Sequence, residues 1–149
     1  PTVTVCGNNM ETLLETELEE SLLTDKPTVL IIDDDQDQVG VLRYHLSQQG
    51  FEVLAAHSGS DGMRLLKAEM PNIVLLDIEL PDATGFELCE RIADDPETFQ
   101  IPVIFVSGVE RNDVLKRARA AGCAYYVRKP YDPNALLVLI KQTLNENLM

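Results

Sequence analysis

Four aspartates stand directly after two apolar runs of the chain, where their carboxylates could hold a cation or take part in group transfer. The run Val29–Ile32 leads into three of them and Ile73–Leu76 leads into the fourth: Asp33, Asp34, Asp35 and Asp77. Carboxylates held close together repel one another unless protons or a cation neutralise them. An oxygen-only group of this kind suits Mg²⁺ or Mn²⁺ better than zinc.

A hydroxyl and an ammonium follow two later apolar runs. Ser107 comes directly after Val103–Val106, and Lys129 follows Ala124–Val127 after one intervening arginine. Either residue alone would be an ordinary polar residue at the end of a strand. Because four strand ends supply carboxylates, a hydroxyl and an ammonium, we expect these groups to converge on one site.

The remaining polar and aromatic candidates have simpler interpretations. Asp35 and Asp37 are expected to be helix caps or solvated acids. His45 and His57 are expected to be ordinary helix and loop residues, because the sequence names no partner for them. Surface or packing roles are expected for Tyr125 and Tyr131.

These side chains lie on elements that alternate between short apolar runs and longer amphipathic segments. The predicted strands are Val29–Ile32, Phe51–Ala55, Ile73–Leu76, Val103–Val106 and Ala124–Val127. The predicted helices are Gln38–Gln49, Ser60–Met70, Gly85–Asp94, Glu110–Ala121 and Pro133–Asn147. Three of the runs are apolar throughout, which is typical of strands buried on both faces of a parallel sheet. The pattern predicts an α/β fold with a doubly wound parallel sheet, whose functional edge is the carboxyl edge.

The first 26 residues differ from the rest and predict an acidic arm. They carry six acids and a single base, Lys26. Apolar residues at every fourth position predict one amphipathic helix over Met10–Leu23, which ends before Pro27. This helix is expected to be a linker or arm packed on the main domain, or a helix that binds a partner or dimerises. Residues 27–149 are expected to form the main domain.

Composition excludes several classes of function. The net charge is 12 − 25 = −13, which disfavours direct binding to nucleic acid or to an anionic membrane surface. The longest apolar run, Ala135–Ile140, is far shorter than the roughly 20 residues of a membrane-spanning helix. No secretory signal is visible, and the 3 widely spaced cysteines fit reduced thiols in a cytoplasmic protein.

The chain resembles the receiver domain of two-component response regulators from about Pro27 to Leu148. The resemblance rests on four segments in order: Ile31–Asp35, Leu75–Gly85, Pro102–Gly108 and Tyr126–Pro130. The spacings 107 − 77 = 30 and 129 − 77 = 52 also agree with the family pattern. The resemblance implies a flavodoxin-like fold, a five-stranded parallel sheet of order 2-1-3-4-5 with helices on both faces.

The resemblance also implies a metal site. Asp33 and Asp34 resemble the acidic pair that holds Mg²⁺, Asp34 directly and Asp33 through water. Asp77 is a further carboxylate ligand, and Glu79 stands where the family lends a backbone carbonyl to the metal. The implied cofactor is therefore Mg²⁺ or Mn²⁺.

Four further roles follow from the same resemblance. Asp77 resembles the aspartate that accepts a phosphoryl group, while Ser107 and Lys129 resemble the residues that bond phosphoryl oxygens. Ser107 and Tyr126 match the switch positions through which the face made by helix four, strand five and helix five responds. Pro130 resembles a proline that follows a cis peptide bond.

The implied partners are a histidine kinase or phosphotransfer protein and a fused or separate output domain, with a homodimer possible. The first residue is Pro1, which favours a receiver excised from a longer polypeptide over one that stands alone. The basic stretch of helix four is either a solvated face or a docking face; its residues are Arg111, Lys116, Arg117 and Arg119. Two other functions stay open: an interaction module that works without phosphorylation, and an aspartyl-nucleophile phosphatase of the haloacid-dehalogenase type.

Overall fold

The computed structural model describes residues 26–109 and 112–147. The predicted arm helix Met10–Leu23 and the basic residue Arg111 lie outside the described residues. The strands are β1 Thr28–Ile32, β2 Glu52–Ala56, β3 Ile73–Leu76, β4 Val103–Ser107 and β5 Tyr125–Arg128. The helices are α1 Gln36–Gln48, α2 Gly59–Glu69, α3 Gly85–Asp94, α4 Val114–Ala120 and α5 Pro133–Asn147.

All strand pairs of the sheet are parallel, and the strand order is β2-β1-β3-β4-β5. The predicted α/β fold and strand order are therefore confirmed. Adjacent pairing of β1 and β3 sets Ile32 beside Leu76, so the residues that follow these two strands emerge side by side. Pairing of β4 with β5 sets Ser107 beside Arg128, one residue before Lys129.

The sheet separates two apolar layers. Alternate strand residues such as Leu30 and Leu76 face α2, α3 and α4, together with Phe86 and Phe105. The other strand residues face α1 and α5. Strands β3 and β4 are buried along their whole length, as their uninterrupted apolar sequences predict. No helix in the described residues is long and apolar enough to cross a membrane.

Local signals set most of the boundaries. Gly50 and Gly122 follow α1 and α4 with φ of 88° and 97°, left-handed values that favour glycine. Pro133 begins α5, and the Lys129–Pro130 peptide bond is cis, as the resemblance implies. The prediction for helix four was wrong at its start, because α4 begins at Val114 rather than at Glu110. Its N-cap residue makes no side-chain capping bond, so the sequence carries no sharp start signal there.

Gly85 closes the connection between β3 and α3. Its N–H donates to the carbonyl oxygen of Ile78 at 2.6 Å. A Cβ at this position would lie 2.3 Å from the carbonyl oxygen of Asp77, far inside contact distance. The backbone of Asp77 and Ile78 therefore requires glycine here.

We predict opposite effects for alanine at two helical glycines. Gly85→Ala should lower the free energy of unfolding by about 2 kcal/mol or more, because the methyl group meets backbone that cannot move aside. Gly40→Ala in α1 should raise it by about 0.5–1 kcal/mol, because nothing lies within 4 Å of its Cβ and alanine favours helix. Urea unfolding of both variants measures this, and equal effects would contradict the assigned close approach.

Candidate functional site

Three carboxylates meet at the carboxyl edge of the sheet. Oxygen atoms of Asp33, Asp34 and Asp77 all lie within 4.8 Å of one another. Two of these residues are almost fully buried, Asp33 at 6% and Asp77 at 8% exposure, while Asp34 is exposed. Backbone bonds fix the site, since the Asp77 N–H donates to the Ile32 carbonyl oxygen at 2.9 Å. The sheet thus forces acids from two different strands together, as predicted.

Lys129 supplies the positive charge of the cluster. Its Nζ donates to Asp33 Oδ2 at 2.8 Å and lies 3.4 Å from Asp77 Oδ2. The Lys129 N–H donates to the Ser107 carbonyl oxygen at 3.0 Å, which ties the end of β5 to the end of β4. The structure therefore brings together the four strand ends that the sequence singled out.

Burial and charge perturb the titration of this cluster. Burial raises the pKa of Asp77, and the neighbouring Asp33 carboxylate raises it further, against the opposing effect of Lys129. Burial works to lower the pKa of Lys129, but its bond to Asp33 and the charges of both carboxylates outweigh burial, so that pKa is raised. The lysine stays charged at neutral pH and leaves two of the three carboxylates uncompensated.

The donor set fits a small hard divalent cation. Three carboxylates and one ammonium carry a formal charge of −3 + 1 = −2 when all are ionised. All the ligand atoms are oxygens, and the exposed Asp34 leaves one side open to water, which Mg²⁺ retains in most protein sites. The Glu79 N–H donates to Asp77 Oδ1 at 3.3 Å, so the backbone of Glu79 is next to the cluster.

The segment from Glu79 to Thr84 forms a closed loop that the sequence did not identify as anchored. Glu79 and Thr84 form an antiparallel bridge, and the Leu80 N–H donates to the Ala83 carbonyl oxygen. The two carboxylate oxygens of Asp82 accept from the N–H groups of Gly59 and Ser60 at 2.7 and 2.9 Å. These two bonds lower the pKa of Asp82. They attach the loop beside the acidic cluster to the first turn of α2.

The two predicted switch residues meet at Val109. Ser107 is fully buried, and its Oγ accepts from the Val109 N–H at 3.3 Å. The Tyr126 hydroxyl donates to the Val109 carbonyl oxygen at 3.2 Å, and its ring packs 6.5 Å from that of Phe105. Burial raises the pKa of Tyr126, and the charge of Asp77 adds to this.

Two other residues lie closer to the cluster than the sequence indicated, and a third has the role that was expected of it. The sequence named no partner for His57, but its Nδ1 lies 3.0 Å from the Asp33 carbonyl oxygen. Tyr131 is half-buried and lines a small cavity beside Asp33 and Asp77. Asp35 caps α1 by accepting from the Gln38 N–H, as expected.

The chain belongs to the response regulator receiver domain family, whose sequence model matches residues 29–141. It is therefore a receiver domain of two-component signalling, a signalling domain rather than a conventional enzyme. This assignment contradicts the alternative of a haloacid-dehalogenase-type phosphatase.

Individual relatives agree with this assignment. The chain is 34% identical over 116 residues to Protein PilH of Pseudomonas aeruginosa, covering 78% of this chain and 96% of PilH. It is 29% identical over 119 residues to the polar-differentiation response regulator DivK of Brucella ovis, covering 80% and 97%. A solved CheY-like receiver domain protein from Methanospirillum hungatei superposes with a TM-score of 0.78 at 31% identity, covering 83% and 97%.

We predict that Asp77→Asn stabilises the metal-free protein at neutral pH. The pKa of Asp77 is raised above 3.8, so the folded state binds this proton more tightly than the unfolded chain does. Ionisation of Asp77 therefore lowers the free energy of unfolding. This loss begins near the pKa of Asp77 in the unfolded chain, grows as pH rises through the raised pKa of the folded state, and then stays constant. The amide removes it. Urea unfolding in EDTA should show the variant more stable at pH 7, with the difference closing below pH 3.8.

The exposed acid Asp37 provides the control, because Asp37→Asn removes a carboxylate outside the cluster. Added Mg²⁺ should narrow the difference in free energy of unfolding between Asp77→Asn and the unmodified protein, because the cation would offset the repulsion between carboxylates in the latter. A variant that is less stable than the unmodified chain at pH 7 would contradict the assigned electrostatic cost of Asp77.

Proposed function

We propose that this receiver domain accepts a phosphoryl group on Asp77 in a Mg²⁺-dependent reaction and transmits the change to the face made by α4, β5 and α5. The observation that carries the proposal is the convergence of three carboxylates at the carboxyl edge of the sheet, two of which lie 2.8 and 3.4 Å from the Lys129 ammonium. The proposed donor is the phosphohistidine of a histidine kinase or phosphotransfer protein. The proposed recipient is an output domain, fused or separate, or a second copy of the chain.

In the proposed reaction, a carboxylate oxygen of Asp77 forms a bond to phosphorus. The bond from phosphorus to the donor nitrogen breaks, and its electron pair leaves with the donor imidazole. The protein must position the two reactants and neutralise charge on the transferring oxygens. Bound Mg²⁺, held by Asp33, Asp34 and Asp77 with the Glu79 carbonyl, would supply part of that neutralisation.

Lys129 and Ser107 would bond the other phosphoryl oxygens. Lys129 Nζ is already 3.4 Å from Asp77 Oδ2, so its ammonium could stabilise negative charge on an oxygen of the phosphoryl group attached to Asp77. The Ser107 hydroxyl accepts from the Val109 N–H, and its own proton is directed at the Asp77 carboxylate, where this bond works to lower the pKa of Asp77. It can therefore bond a phosphoryl oxygen without first losing Val109.

This double use of Ser107 couples the site to the switch. If the Ser107 hydroxyl turns toward the phosphoryl group, its bond to the Val109 N–H draws residues 107–109 in the same direction. The Val109 carbonyl oxygen holds the Tyr126 hydroxyl, so the environment of Tyr126 changes too. The exposed Lys116 and Arg119 of α4 lie on the face that would change, which supports a docking role for them.

We predict that Asp77→Asn abolishes phosphorylation by acetyl phosphate, because the amide is not a nucleophile under these conditions. Phosphate-affinity electrophoresis in Mg²⁺ measures the labelled fraction. Asp34→Asn should weaken Mg²⁺ binding by about tenfold or more, because one charged ligand is lost, while Asp37→Asn should behave as the unmodified protein. Labelling of Asp77→Asn would remove this residue from the role. An unmodified chain that is never labelled would favour the phosphorylation-independent interaction module.

We further predict that Ser107→Ala separates phosphorylation from its readout. Beryllofluoride should shift amide resonances of residues 112–128 in the unmodified protein, and these shifts should shrink in Ser107→Ala although Asp77 is still labelled. Tyr126→Phe keeps the ring contact with Phe105 and removes only the hydroxyl bond, so it should reduce the shifts near Val109 selectively. Equal shifts in all three proteins would contradict the switch.

A further inference from the structure

A groove of about 810 Å³ lies at the amino edge of the sheet, at the opposite ends of the strands from Asp77. Its walls come from the segments that lead into β1, β2, β3 and β4 and from the last turns of α5. Its apolar lining consists of the exposed Met70 and the half-buried Ile101 and Leu144, with the buried Phe51 and Pro71 beneath them. Its volume lies within the range of about 300–1,000 Å³ that is typical of binding sites.

Met70 has an unusual conformation in this groove. It ends α2 in the left-handed region, with φ of 47°, where glycine or asparagine is usual. Its side chain is apolar and yet 46% exposed. Flexible, exposed methionines are frequent on surfaces that receive apolar side chains of a partner. The groove therefore has the character of a docking surface.

We propose that this groove binds the apolar stripe of the chain's own acidic arm, the segment Met10–Leu23. The strongest support is the short connection, because Lys26 and Pro27 themselves line the groove. Leu23 is only three residues before Lys26, so their Cα atoms are at most about 11 Å apart. The end of the arm segment is thus held beside the groove at high effective concentration.

The chemistry of the arm fits this surface. A helix over Met10–Leu23 would have 23 − 10 + 1 = 14 residues, a length that is marginal for an isolated helix in water. Its stripe of Leu14, Leu18 and Leu22 gains stability only by packing on another apolar surface. The segment also carries five glutamates and no lysine or arginine.

The charges at the groove are complementary to those of the arm. Lys26 and Lys141 are exposed lysines of its lining. The acid among the lining residues, Glu97, lies 3.3 Å from the Lys67 ammonium, which it shares with Asp95. Docking there would leave the acidic cluster open, because the two sites lie at opposite edges of the sheet. The arm would then contact the segments that precede β1, β2, β3 and β4, and it would leave the site of phosphorylation open.

Photo-crosslinking of the full chain tests the occupant directly. The amino acid p-benzoylphenylalanine placed at Met70 should crosslink on irradiation to a peptide within residues 10–23 of the same chain, identified by mass spectrometry. Placed at Val138, which is 63% exposed on α5 outside the groove lining, it should not reach those residues. A crosslink to the arm of a second copy, seen as a covalent dimer, would overturn the intramolecular proposal. Crosslinks only within the domain, or none, would also overturn it.

Hydrogen exchange of the full chain gives an independent readout. Leu14→Asp with Leu18→Asp should speed exchange of amides in residues 49–52, 70–73 and 141–145 by about tenfold, because burying even one leucine side chain provides this much protection. Thr12→Asp with Thr16→Asp is the matched control, since it adds the same two charges on the polar side of the predicted helix. Unchanged exchange in the double variant, or equal acceleration in the control, would contradict docking of the stripe.

Discussion

The repulsion between Asp33 and Asp77 is the constraint around which the carboxyl edge of this sheet is organised. Parallel pairing of β1 with β3 places both carboxylates at one point, where they are nearly buried and cannot separate. Lys129 offsets part of the repulsion from the end of β5, which is two strands away from β3 and three away from β1. The remaining negative charge fits the small divalent cation that is proposed for this edge.

The loops around the cluster hold the carboxylates in place against their mutual repulsion. Gly85 lets α3 start directly against the backbone of Asp77, and Asp82 binds the first turn of α2 with both carboxylate oxygens. His57 approaches the carbonyl oxygen of Asp33 from the end of β2. Backbone groups of the two buried acids are therefore bonded within the fold, which holds both carboxylates in place.

The sequence predicts the order of the elements and the four strand ends that are followed by reactive polar residues, because apolar runs and the polar residues after them are local signals. It could not reveal the anchoring by Asp82, because its partner Gly59 is 23 residues away and contributes only a backbone N–H. The partner of His57 is likewise a backbone carbonyl, which no side-chain pattern announces. The start of α4 was misplaced because a weak cap gives no boundary signal, and amphipathic periodicity alone extended the prediction to Glu110.

The sheet divides the apolar interior into two layers that share no side chain. Tyr126 packs with Phe105 and Phe86 in one layer, and the Arg117 guanidinium lies 4.2 Å from the centre of the Phe86 ring. The layer under α1 and α5 contains none of these aromatic rings. Substitutions around the proposed switch residue Tyr126 can thus accumulate in the first layer while the shape of α1 is preserved. Divergent copies of such a domain could acquire different response thresholds while retaining a common surface on the other side.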